Sequence, residues 1–126
     1  MSKPTITGTR YVLAVKDLAK SAAYYEEKLG CKTWLKVEGW QFLYRDTFMV
    51  MLGECADDRS AFETRNHSYF AYVDMVGVDE LYQEYKSKGV EIISVPEDKE
   101  WKQREFAIRT IDGHRITFGE AIEQFG

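Results

Sequence analysis

The apolar positions of the chain switch between two rhythms, and they do so twice. "TRYVLAVKD" is rich in apolar and β-branched residues and predicts a strand. "LAKSAAYYEEKLG" follows, where Leu18, Ala22, Tyr25 and Leu29 recur at steps of four, three and four, one face of a helix. Asp17 is placed to cap its start and Gly30 to end it. Strands are then predicted in "CKTWLKV", "WQFLYRD" and "TFMVML", punctuated by Gly39 and the Asp46-Thr47 pair.

The second half repeats the order. "HSYFAYVDM" reads as a strand, and "VDELYQEYKSKG" as a helix with Val78, Leu81, Tyr82 and Tyr85 on one face and Gly89 at its end. "VEIISV", "REFAIRT" and "HRITFGE" are three more strands. The chain is therefore expected to be α+β, a single domain of two βαβββ modules at about 9–54 and 66–120, joined by the polar linker 55–65. Two modules this short must pack against each other or against another chain to bury their sheets.

Composition narrows the class. At 126 residues the chain fits one domain, which buries roughly two-thirds of its unfolded surface and needs no staples. An aromatic share of 14% is high for this length and suggests a rich core, an apolar cavity or an interface. The net charge of −4, with no basic cluster, argues against nucleic acid. Cys31 and Cys55 form no C-x-x-C pair and fit a reducing, cytoplasmic setting. The opening "MSKPTITGTR" has no apolar run, so no signal peptide is expected, and no stretch is long enough to span a membrane.

The last hairpin carries the most information. A two-residue Asp112-Gly113 turn would set Arg109 opposite Ile116. A three-residue Ile111-Asp112-Gly113 loop instead pairs Thr110 with His114, with Gly113 supplying a left-handed bulge residue. Only the second closure gathers Phe106, Ile108, Ile116 and Phe118 on one face and Ala107, Arg109, Arg115 and Thr117 on the other. It also sets Arg109 against Arg115, an unfavourable pairing that calls for an acid. That acid is a protein carboxylate such as Asp46 or Glu54, or the anionic end of a ligand.

With these elements in place, "VLAVKDLAKSAAYYEEKLG" resembles the opening of the vicinal oxygen chelate superfamily, which includes glyoxalase I, extradiol dioxygenases and the bleomycin-resistance proteins. "WKQREFAIRTIDGHRITF" is similar to the close of that pattern, with Thr110-Ile111 where an Asp-Pro is usual. The resemblance implies curved mixed sheets that form a cleft, helices on the convex faces, and a homodimer with or without segment exchange. It also places the metal-ligand positions of the metal-dependent members on Arg10, Met51, Ser68 and Thr117. None is a usual ligand for a divalent cation: arginine has no acceptor atom, and a thioether is too soft for an oxygen and nitrogen site.

No metal, cofactor or catalytic residue is therefore expected, and the ligand-binding residues are expected to be Arg10, Trp40, Met49, Met51, Ser68, Phe70, Trp101, Arg109, Arg115 and Thr117. Val12, Ala14 and Tyr72 share the parity of that face. Such a surface suits a small organic molecule with an apolar or aromatic body and an anionic end. The expected function is metal-independent binding of the bleomycin-resistance type, acting by sequestration. The alternatives are a metal-dependent lyase or dioxygenase using displaced ligands from His67, Glu54, His114 or Glu120, and a pure interaction domain.

Overall fold

The computed structural model describes residues 4, 7–57, 61, 63 and 69–122. Five elements form each module. The first has β1 (Tyr11–Val15), α1 (Leu18–Glu27), β2 (Lys32–Val37), β3 (Trp40–Arg45) and β4 (Phe48–Glu54). The second has β5 (Tyr69–Asp74), α2 (Val78–Ser87), β6 (Glu91–Asp98), β7 (Gln103–Arg109) and β8 (Arg115–Ala121). The strands make two four-stranded sheets, ordered β1-β4-β3-β2 and β5-β8-β7-β6. Each is mixed, because the strand before the helix runs parallel to the last strand of its module. The sheets do not close on one another.

Alternation along the strands sorts the side chains. Leu13 and Val15 of β1, Leu43 of β3 and Val50 and Leu52 of β4 turn to α1, meeting Leu18, Ala22, Tyr25 and Leu29. Phe106, Ile108, Ile116 and Phe118 turn to α2, where the stacked rings of Phe106 and Phe118 lie 5.2 Å apart beneath Tyr85. These residues form one contiguous core. Polar links cross between the modules on this helix-covered side. Arg45 donates to Glu84 at 2.8 and 3.2 Å, the Tyr85 hydroxyl donates to the Leu29 carbonyl at 3.0 Å, and the Ser21 hydroxyl donates to Asp112 at 2.9 Å.

The last hairpin takes the three-residue closure. Thr110 donates its N–H to the His114 carbonyl at 2.8 Å, Gly113 donates to Thr110 at 2.9 Å, and Gly113 has φ 92°. The register sets Phe106 against Phe118, Ile108 against Ile116 and Arg109 against Arg115. At α1, Asp17 accepts from the Lys20 N–H at 3.1 Å as the N-cap. Among the described residues, no helix is long and apolar enough to cross a membrane.

One expectation about faces is corrected. Regular alternation through β5 would put Phe70 beside Tyr72, but a bulge between Tyr69 and Ala71 breaks it. Phe70 turns to the core, edge-on to Tyr11 at 5.4 Å and to His114 at 5.6 Å. Tyr69 takes the place on the other face. Ser68 and His67 lie outside the described residues.

Candidate functional site

Each sheet leaves the face opposite its helix bare, and these two faces collect the expected residues. On the first module, Val12 pairs with Met51, Phe42 with Met51, Tyr44 with Met49 and Trp40 with Gly53, all with the same parity. Val12 is 62% exposed and Trp34 40%, values that a finished apolar surface would not leave to water. The bulge between Thr33 and Leu35 stands Trp34 beside Phe42, with ring centroids 5.4 Å apart. Arg10 reaches across the sheet and lays its guanidinium 5.0 Å from the Trp34 ring, a cation on an aromatic face. Trp40 lies flat over Gly53, where an added Cβ would stand 2.7 Å from the indole. Glycine makes this close approach possible.

The bare face of the second module has a floor of small residues, Ala107 and Thr117 side by side with Gly119 next along β8. One end is basic. Arg115 rests its guanidinium 5.2 Å from the ring of Tyr69, its neighbour on β5. Arg109 meets Glu91 of β6 at 3.3 Å. One acid that meets Arg109 is thus Glu91, which the pairing alone did not name. The bulges of β6 set its register, and that register brings Glu91 opposite Arg109.

The other end of this face is acidic and aromatic. Tyr72 lies along Gly119, where any Cβ would collide with the phenol. Its hydroxyl donates to Glu105 Oε2 at 2.6 Å, and the Trp101 indole N–H donates to the same oxygen at 2.6 Å. Burial and the Glu105 carboxylate push the Tyr72 phenol above its ordinary pKa, so it remains a donor. Trp101 stands in the β6–β7 loop, 61% exposed. Glu105, Trp34 and Tyr69 are absent from the expected set. A charge within an apolar strand marks Glu105, but its partners lie four and 33 residues away, which spacing cannot anticipate.

The candidate displaced ligands among the described residues have other duties. Glu54 accepts from the Leu18 N–H at 3.1 Å, at the start of α1. Glu120 accepts from the N–H groups of Gly77 and Val78 at 3.1 and 3.0 Å, at the start of α2. Each carboxylate sits at a helix N-terminus, where unpaired N–H groups favour an anion. His114 packs against Phe70, and burial lowers its pKa. Two cavities of about 470 and 550 Å³ lie at the junction of the modules. The first is walled by Cys31, Arg45, Met75 and Glu84, and the second by Tyr11, Phe48, Met49 and Tyr72. Only the second touches the bare faces.

This arrangement of paired modules and open sheets has clear counterparts. The model of the Glyoxalase/Bleomycin resistance protein/Dioxygenase superfamily matches residues 9–118. The chain belongs to that superfamily. A bleomycin resistance protein of Geobacillus stearothermophilus is 28% identical over 124 residues, covering 88% of this chain and 94% of the relative. Among solved structures, a bleomycin resistance determinant encoded on the transposon Tn5 has a TM-score of 0.77 at 20% identity, covering 92% of this chain and 98% of its own. A bleomycin-binding protein from Streptomyces verticillus, complexed with copper(II)-bleomycin, has a TM-score of 0.73 at 14% identity, covering 97% and 100%. At these identities the two structures speak for the fold alone.

Some members of the superfamily hold a divalent metal, and the described residues at the corresponding positions do not fit one. Arg10 offers only donors and is spent on Trp34, Met51 offers a thioether, and Thr117 a neutral hydroxyl. Among the described residues no three histidine, cysteine, aspartate or glutamate side chains converge as a metal group would require.

Proposed function

We propose that this protein is a metal-independent binder of small organic molecules, working as a homodimer whose clefts are lined by the two bare sheet faces. The observation that carries the reading is the pair of exposed aromatic faces. Trp34, Phe42 and Trp40 cluster on one, and Tyr69, Tyr72 and Trp101 rim the other. A flat ring slides between such side chains with little loss of rotamer freedom. Apposing the faces in a dimer both removes their apolar surface from water and creates an enclosed slot. The bleomycin resistance relatives favour sequestration as the biological use, with capture alone as the whole activity.

The test is a ligand screen on the full chain after metal removal, using metal-free bleomycin, copper(II)-bleomycin and other planar aromatic compounds. A true ligand at a hundred times its dissociation constant raises stability by about 2.7 kcal/mol. That rise should survive a chelator. One tightly held divalent ion per chain, required for binding, would overturn the metal-independent reading. A monomer by light scattering at micromolar concentration would overturn the shared cleft.

A further inference from the structure

Tyr24 and Tyr25 follow Ser21 by three and four residues on α1, which sets them one turn along the same buried face. The Ser21 hydroxyl donates to Asp112 Oδ1 at 2.9 Å, the contact that joins this helix to the turn of the last hairpin. Helix side chains lean toward the N-terminus, so the two phenols reach back over the turn that holds Ser21 and its carboxylate partner. Yet neither hydroxyl has a hydrogen-bond partner among the described residues, and neither does Asp112 Oδ2. Tyr25 is 0% exposed and Tyr24 8%, so bulk water does not serve them. A third tyrosine of the junction shows the contrast: the Tyr85 hydroxyl donates directly to the Leu29 carbonyl at 3.0 Å.

Three buried polar atoms left unpaired at one joint would each carry the full cost of desolvation. They share one electrostatic neighbourhood. Burial raises the pKa of both phenols; the Asp112 charge adds to this at Tyr25, and the charges of Glu91 and Asp112 add to it at Tyr24. Both hydroxyls therefore stay protonated as donors, and Asp112 Oδ2 is an acceptor. Glu91, the other acid near Tyr24, is engaged with Arg109 at 3.3 Å. Polar groups that feel one another but stand beyond direct bonding distance are the setting for a bridging water, which takes two to four such partners. We propose that one buried water lies between α1 and the last hairpin, accepts from the Tyr24 and Tyr25 hydroxyls and donates to Asp112 Oδ2. The hairpin carries Arg109, Arg115 and Thr117 on its outer side, so this wet joint fixes the second bare face to the helix of the first module. The site stands whether or not the bare faces take a ligand.

The sign of one conservative change tests this. Tyr25→Phe removes a hydroxyl and leaves the ring. If a water serves that hydroxyl, the folded-to-unfolded ratio measured by urea unfolding should fall about fivefold, the worth of one net hydrogen bond. A hydroxyl buried dry would give an unchanged or raised ratio, because its removal relieves a desolvated donor, and the proposal would fail. A second measurement uses the native chain: a crystal structure should show one ordered water within about 3.2 Å of both Tyr25 Oη and Asp112 Oδ2. Direct phenol-to-carboxylate bonds, or no density between the two, would overturn the proposal. Oxygen donors of this kind also suit a monovalent cation. A drop in stability when sodium and potassium chloride are replaced by choline chloride at equal ionic strength would give the site to such a cation and not to water.

Discussion

Glu54 and Glu120 stand in the same relation to their modules: each lies at the end region of a last strand and accepts hydrogen bonding from the start of its own helix. Both follow a glycine and an apolar residue, in "LGE" and "FGE". The two are unequal in what else supports the helix. Asp17 also caps α1 by its side chain, whereas α2 starts from Gly77 with no side-chain cap of its own. Glu120→Ala should therefore cost about 1–2 kcal/mol in chemical denaturation, and Glu54→Ala about half of that. Equal costs would show that Asp17 adds nothing beyond the carboxylate.

Gly53 and Gly119 precede those acids and lie beneath Trp40 and Tyr72. The indole of Trp40 has no anchoring hydrogen bond among the described residues, while the phenol of Tyr72 is held by Glu105. Gly53→Ala should displace an indole and cost about 1 kcal/mol. Gly119→Ala should cost about 2 kcal/mol or more, by breaking the bond to Glu105 as well. Thermal melts of the two variants compare them directly.

The ion pair between Arg45 and Glu84 sets a pH dependence. The guanidinium holds the Glu84 carboxyl below its ordinary value of 4.5. Its contribution is then complete above that value and is lost as pH falls through the lower folded value. Glu84→Gln should be less stable than the native chain by about 1 kcal/mol at pH 7. The gap should narrow as pH falls below that ordinary value and the Glu84 carboxyl takes up its proton. A gap unchanged with pH would mean that packing, not charge, holds the modules together there.

Thiol chemistry should separate the two cysteines. Cys31 is buried, and burial pushes its thiol up to about 12, whereas Cys55 is exposed. A thiol-reactive dye at pH 8 should label one cysteine per chain at once and the second only on unfolding. Fast labelling of both would place Cys31 in reach of solvent through the junction cavity.

Much of this was legible in the chain. The faces of Phe106 to Phe118 follow from one choice of turn, because a strand has only two sides and only one choice gathers the apolar residues. Phe70 was misplaced for the same reason: alternation is trustworthy until a bulge, and nothing in "HSYFAYVDM" marks one. Arg10, Trp40, Met49, Met51, Arg115 and Thr117 lie on the bare faces, and the company they keep there comes from long-range pairing. Arg10 stands just before one edge strand and Trp34 in the other, and their long side chains meet across the sheet at 5.0 Å.

The alternation of β8 has a practical side for protein engineering. Ile116 and Phe118 hold the core and Glu120 holds a helix, while Arg115 and Thr117 between them touch neither. A library randomised at positions 115 and 117, with their neighbour 69, would rewrite the surface offered to a ligand while Ile116, Phe118 and Glu120 keep their places. Position 119 is the exception on that side, and should stay glycine in every clone.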